Sequence, residues 1–467
     1  QSQPAATTLP EAQQLATYVA QLVEAAREAQ AQLETFSQAQ VDAIVRALAQ
    51  VVHQNAIPLA EMAVAETRMG NAADKILKNR AKSELIWEHL RSVPSVGIVA
   101  EDAATGVVEI AEPVGVVASI VPCTNPSVTA MSNAMFALKG RNAIIIAPHP
   151  RAKNVCRETV LQMIEAARLF GLPENAIQII GEPSPVLSQA LMSACDLTLA
   201  TGGPGMVKAA YSSGKPSFGV GAGNVPVVLH ASADIDRAVR DIIAGKSFDN
   251  GLICASEQAV IVTEDMADAV MAAFVSHGAY VVDEHNRPAL KAAMFDEQGH
   301  VRADIVGQSA LRIADMAGIA LPPGQERILL VPVQYVGPEY PFSTEKLSPV
   351  LAFYVRPTFA ACIETAAEIL NTGGRGHTAA IHAENRNAVM QFAAKMKVSR
   401  VIVNQTSATS AGGSRFNGLV PTTTLGCGTW GNNVSTDNIS VRHVLNIKRV
   451  AFKQAEARDT SRVFEDS

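Results

Sequence analysis

Val116-Val117-Ala118-Ser119-Ile120-Val121-Pro122-Cys123-Thr124-Asn125-Pro126 passes from unbroken apolar residues into a polar turn bounded by prolines. The run Val116–Val121 reads as a strand buried on both faces, and Ser127–Lys139 behind it reads as a helix. The same alternation recurs downstream. Apolar runs at Ala143–Ala147, Ala176–Ile180 and Leu197–Thr201 are separated by helical patterns at Lys153–Phe170 and Pro185–Ala194. Strand, helix, strand at this pace predicts a doubly wound α/β domain built on a parallel sheet. A second series runs from Ile235 to about Pro421. Its strands are expected near Ala259–Thr263, Ile328–Val333, Val350–Val355, Thr378–His382 and Arg400–Asn404. Its helices are expected at Ile235–Gly245, Met266–His277, Phe359–Leu370 and Asn387–Lys397.

Around these two series lie flanking elements. Residues 11–53 carry Leu15, Val19, Leu22, Val23 and Ala26 at helical spacing, which predicts one or two amphipathic helices. Packing on the chain's own core is the leading reading of them, and docking to a partner or a microcompartment shell is the alternative. Residues 96–111 alternate apolar and polar around Asp102–Gly106, the pattern of a β-hairpin. The tail Val441–Phe452 reads as one strand that pairs with a neighbouring subunit, giving a homodimer or homotetramer.

At 467 residues with 48% hydrophobic content, the chain is long enough for two or three well-packed domains. A formal net charge of -6 advertises neither nucleic-acid nor anionic-membrane binding. No uninterrupted apolar run is long enough to span a membrane. The start lacks the features of a secretory signal and has no initiator Met, so a cytoplasmic protein with a missing true N-terminus is expected. Six cysteines, at 123, 156, 195, 254, 362 and 427, show no metal-binding spacing and read as reduced thiols.

One of those thiols is placed for chemistry. Phe248-Asp249-Asn250-Gly251-Leu252-Ile253-Cys254-Ala255-Ser256-Glu257-Gln258 sets Cys254 in a small-residue loop just ahead of an apolar strand. Attack of its thiolate on an aldehyde creates an oxyanion that needs donors, and the amide of Asn125 with the Cys254 N–H would supply them. An Asn before Pro is by itself an ordinary turn former. Thr201-Gly202-Gly203-Pro204-Gly205 ends a strand and opens a helix, where bare backbone and a helix N-terminus favour a pyrophosphate. It is no GxGxxG fingerprint, and alone it is weak.

Taken in order, these segments resemble the CoA-acylating aldehyde dehydrogenases over about residues 10–450. The resemblance extends to the microcompartment propionaldehyde and acetaldehyde dehydrogenases and to the aldehyde half of bifunctional aldehyde–alcohol dehydrogenases. The iron-dependent alcohol dehydrogenase half of the latter is expected to be missing. The resemblance implies a division into a dinucleotide- and CoA-binding domain (1–95 and 112–230), a catalytic domain (231–430) and a bridging element (96–111 and 431–467). It also implies Cys254 as nucleophile, Asn125 as oxyanion residue, and Cys123 as a wall. Pro122, Thr201, Gly202, Gly203, Pro204 and Gly205 would hold the cofactor, and Glu345 and Leu347 in Ser343–Pro349 would meet the nicotinamide ribose. His149 and Pro150 stand where relatives contact the adenosine ribose, and His149 departs from the Lys usual in hydrolytic members. That departure leaves NAD the expectation and NADP the alternative. In Phe218–Pro226, the hydrolytic members carry a Glu that activates the deacylating water. Here the matching position is Val220, followed by Gly221, Ala222 and Gly223.

The missing base has a physical reading. A thiol with pKa about 8.5 ionises near neutrality, whereas bulk water has a pKa of about 15.7. Coenzyme A can therefore take the acyl group without a carboxylate base while hydrolysis stays slow. His377, at the start of Thr378–His382, would help a thiol lose its proton, or else is a satisfied polar residue at a strand edge. The expected reaction is NAD-dependent, CoA-acylating oxidation of a short aliphatic aldehyde, propionaldehyde favoured, inside the cytoplasm or a microcompartment with shell or cargo partners. The rivals are a hydrolytic dehydrogenase, a phosphate-acceptor reductase, and a non-catalytic nucleotide-binding or shell-docking protein.

Overall fold

The computed structural model describes residues 9–457, so the expectations about the extreme N-terminus lie outside it. Four helices open the chain, at Leu9–Leu33, Gln38–Gln54, Ala56–Thr67 and Ala72–Leu90. Ser37 and Gln40 start the second with a reciprocal capping box. None of the described helices is long and apolar enough to cross a membrane.

Three sheets follow. The hairpin expected at 96–111 is β1 (Gly97–Asp102) and β2 (Val107–Pro113). A five-stranded parallel sheet contains β3 (Val116–Ile120), β4 (Ala143–Ala147), β5 (Ile177–Ile179), β6 (Leu197–Thr201) and β7 (Ser217–Val220), in the order β5-β4-β3-β6-β7. The chain leaves β3 in one direction and returns to its other side with β6, so the crevice between them is a topological switch point. A seven-stranded parallel sheet contains β8 (Val225–Leu229), β9 (Glu257–Thr263), β10 (Ala279–Val281), β11 (Ile328–Pro332), β12 (Val350–Arg356), β13 (Gly376–His382) and β14 (Val398–Val403). Its order is β10-β11-β12-β9-β8-β13-β14. Finally β15 (Leu445–Ala451) pairs antiparallel with β2.

Both parallel sheets are covered on two faces, which is why their strands are apolar throughout. Val19, Val23 and Ala26 of the first helix cover one face of the smaller sheet, against Val116, Ala118 and Ile145. Ile44, Val45 and Leu48 cover the other face, with Met131, Met135 and Leu138 of the helix Pro126–Lys139.

Two expectations need correction. The tail strand pairs inside its own chain, because β2 offers it seven residues of antiparallel register, and Val441–Val444 ahead of it is a 3-10 turn. The larger sheet begins with β8, before residue 230. Pro226 hid that strand, since a proline argues against a central strand, and the register between Val225 and Pro226 is shifted to accommodate it.

Candidate active site

The helix Pro126–Lys139 begins with Asn125 at its N-cap, yet the Asn125 side chain makes no capping bond. Its carbonyl oxygen instead accepts a hydrogen bond from Lys78 Nζ at 2.5 Å. That leaves the amide NH2 with a single long bond, at 3.3 Å to Thr124 Oγ1. Lys78 is held in turn by Asp249 at 2.6 Å, and Asp249 also binds Lys75 at 2.9 Å. All three are buried. Lys75, Lys78 and Lys82 lie three and four residues apart, which places them on one face of the helix Ala72–Leu90.

Asp249 belongs to the turn that delivers Cys254. Asp249, Asn250 and Gly251 all have positive φ, at 49°, 53° and 73°. A side chain at Gly251 would meet the backbone of Ser348 at 2.6 Å. Gly223 passes still closer to the nucleophile, where a Cβ would fall 1.9 Å from the Cys254 carbonyl oxygen.

Cys254 and Asn125 line two cavities that meet beside them. The smaller, about 190 Å³, is walled by Leu77, Lys78, Ala81, Lys82, Leu85, Val128, Phe248, Ile253 and the segments 408–413 and 422–425. The larger, about 710 Å³, lies off the carboxyl ends of β3, β4, β6 and β7, where doubly wound sheets bind ligands. It is lined by Pro122, Cys123, His149, Pro150, Thr201, Gly202, Gly203, Val220, Gly221, Ala222, Glu345 and Leu347. Gly203 and Gly221 face open space where a side chain would stand. Gly203 also caps the helix Pro204–Tyr211, so bare amides and a helix N-terminus point into the cavity. These features fit a dinucleotide pyrophosphate. Gly205, Gly223 and His377 are not on its wall.

Burial dominates the electrostatics of the site. Burial pushes the Cys254 thiol up to about 12, with Glu345 and Cys427 adding to the rise and Arg400 opposing it. Burial likewise raises Glu345 to about 7. Glu257 is also raised to about 7 by burial, and Lys246 falls to about 7 for the same reason. His377 is fully buried; its Nδ1 meets Thr378 Oγ1 at 2.9 Å and its Nε2 has no partner. Burial and Arg400 hold that imidazole neutral, down to about 3. It therefore sits within the wall near Cys254 rather than facing the cleft. Arg400 binds the His377 carbonyl at 2.7 Å, fixing β13 to β14 at this point.

Several site residues were not legible in advance. Lys75, Lys78 and Lys82 look like solvated charges on a polar helix, and only their common face could have hinted otherwise. Asp249 belongs to the cysteine loop, and the run Asp249-Asn250-Gly251, residue types that tolerate left-handed backbone, was the only sequence sign of its turn. Arg151 from the 3-10 turn Pro150–Ala152, and Ser184 and Ser188 from the N-cap and first turns of the helix Pro185–Ala194, join the larger cavity from segments that carry no motif.

The aldehyde dehydrogenase family model matches residues 4–297. The chain is 44% identical over 441 residues to the acetylating succinate-semialdehyde dehydrogenase of Clostridium kluyveri, covering 94% of this chain and 97% of that one. A crystal structure of an acetylating aldehyde dehydrogenase from Geobacillus thermoglucosidasius superposes with a TM-score of 0.92 at 42% identity, covering 96% of this chain and 98% of that one. A propionaldehyde dehydrogenase from Rhodopseudomonas palustris, solved with bound CoA and an acylated cysteine, gives 0.83 at 28% identity, covering 93% and 97%. With this fold, a cysteine between two cavities and relatives of this kind, the chain belongs to the aldehyde dehydrogenase family, among its acylating members.

Proposed function

We propose that the protein oxidises a short aldehyde to its CoA thioester through an acyl group on Cys254, with NAD as the dinucleotide and NADP as the alternative. The observation that carries this reading is the meeting of two cavities at Cys254 with Val220 in the wall where hydrolytic members carry their base. The smaller cavity takes the aldehyde. The larger takes the dinucleotide and, after it leaves, the CoA thiol. Propionaldehyde is the neutral aldehyde of suitable length for a first assay.

Gly203, Gly221 and the helix N-terminus at Pro204 would hold the pyrophosphate, with Glu345 and Leu347 at the nicotinamide end. The dinucleotide, when bound, accepts the hydride. The chain's own groups do the rest. The Cys254 thiol gives its proton to solvent in the cavity, its sulfur bonds to the aldehyde carbon, and the carbonyl π pair moves onto the oxygen. Asn125, fixed through its carbonyl by Lys78, donates to the developing oxyanion beside the Cys254 N–H. Loss of hydride leaves a thioester on Cys254. The CoA thiolate then adds to that carbonyl, and Cys254 departs as thiolate.

A hydrolytic second reading rests on one feature: Glu345, with pKa about 7, is the carboxylate in the larger cavity's wall. The two part on one assay. NADH formation from propionaldehyde with and without CoA is expected to depend on CoA and to yield propionyl-CoA. Propionate formed at a comparable rate without CoA would replace the first reading by the second.

We also propose a second copy of the chain as partner, seated on the β1-β2-β15 sheet. Both edge strands are open, and Ile98, Val450 and Phe452 on and beside them are exposed. The first helix, buried on its own sheet through Val19, Val23 and Ala26, supports a core role for that segment over shell docking.

A further inference from the structure

Lys82 lies one turn beyond Lys78, on the wall of the small cavity that holds Cys254. Much of the wall around it is apolar, from Leu77, Ala81, Leu85, Val128, Phe248 and Ile253, with threonines at 409, 422 and 423. Its Nζ is drawn inward and donates to the carbonyl oxygens of Gly412 at 2.8 Å and Thr422 at 3.0 Å. An ammonium has three donors, so one remains. Lys75 and Lys78 share Asp249, whereas Lys82 has no ion-pair partner among the described residues.

A long cationic side chain normally carries its charge out to water. Here two backbone carbonyls hold the charge at the cavity wall, where burial pulls its pKa down to about 8 and still leaves it mostly protonated at neutral pH. Cationic charge in an apolar site without a counter-ion is costly, and a bound anion removes that cost. Thr423 adds a second polar point: it lines both cavities, and its buried hydroxyl has no partner.

We propose that Lys82 selects the aldehyde, and that the preferred substrate is a short aldehyde whose far end carries a carboxylate or sulfonate paired with its ammonium while the carbonyl carbon rests at Cys254. This inference rests on the reading of the small cavity as the aldehyde site. The rival role for Lys82 is general electrostatic support of the Cys254 thiolate, which would serve every aldehyde alike.

The test compares kcat/KM for succinate semialdehyde, sulfoacetaldehyde and butanal in the wild type, Lys82→Met and Lys82→Arg. The wild type is expected to favour at least one of the anionic aldehydes over butanal by tenfold or more, and the better of the two identifies the tail. That preference is expected to fall at least tenfold in Lys82→Met, mainly through KM, and to return in part in Lys82→Arg. Butanal equal or preferred in the wild type overturns the inference, as does an equal loss on all three aldehydes in Lys82→Met. Product without CoA would instead defeat the acylating reading and leave this ratio readable. A catalysis-free arm covers an inactive or poorly folded variant. Cys254 alkylation by iodoacetate relative to iodoacetamide is expected to exceed that of free cysteine in the wild type, and an equal ratio overturns the inference.

Discussion

Under the proposed function, Cys254 is expected to rest as a protonated thiol before substrate binds. Burial pushes it up to about 12, far above the range of an activated nucleophile. Its alkylation by iodoacetamide in the ligand-free protein should therefore be slower at pH 8 than that of free cysteine. The rate should rise about tenfold per pH unit between 7 and 10, following the thiolate fraction; a plateau near pH 8 would contradict this environment. Asn125 carries the complementary role in the proposed mechanism. Asn125→Ala should lower kcat by about 10²–10³ with little change in KM. Asp249 works at one remove, by neutralising Lys75 and Lys78. Asp249→Asn leaves two buried ammonium groups without a counter-charge and should cost about 3–5 kcal/mol of stability, read from urea denaturation. Of these residues, Cys254 and Asn125 could be picked from the sequence because each ends or precedes a recognisable strand. Asp249 and its lysines could not, since their meaning lies in a contact between residues about 170 positions apart.

Elements bring these groups together by close backbone approach. The segment after β7 runs so near the cysteine loop that residue 223 has no room for a Cβ. Gly223→Ala must push the Cys254 carbonyl aside, and a shift of about 1 Å at a reacting group costs about 10²-fold in rate. We expect that loss in kcat with the far-ultraviolet circular dichroism unchanged; a fully active Gly223→Ala would show the loop to be more yielding than its contacts. The helix Ala72–Leu90 contributes Lys78 and Lys82 although its sequence carries no catalytic motif. Its polar composition announced a surface helix, and only the fold laid one face of it along the cysteine turn.

Across the whole molecule, pH acts on groups buried in and beside the larger sheet. His382, at the end of β13, is held down to about 4, chiefly by burial. The unfolded chain, with a histidine pKa of about 6.5, binds that proton earlier. The histidine's share of stability is thus present above about 6.5 and lost as the pH falls toward 4, by up to about 1.4 kcal/mol per pH unit. Glu257 and Glu345, raised to about 7, act in the opposite sense over the same range, because their protonated forms are favoured in the fold. The histidine is therefore best isolated by substitution. His382→Asn should gain stability relative to the wild type as the pH drops from 7 to 5, measured by urea midpoints. Removal of residues 445–467 should strip β2 of one of its two neighbours and, under the proposed assembly, reduce the sedimentation coefficient to that of a monomer.

The alternation of apolar runs with helical patterns determined the two parallel sheets, because strands buried on both faces have no polar side to display. The cysteine loop, the strand-end Asn125 and Val220 in a familiar segment determined the chemical class. The tertiary structure alone decided which surface each charge would meet. It drew β8 into the larger sheet despite Pro226, and closed β15 on β2 within one chain. It also set Lys78 behind Asn125 and left Lys82 facing an apolar cavity. Period and motif are local properties that a sequence displays directly. Burial and ion pairing between residues far apart are fixed only when the chain has packed.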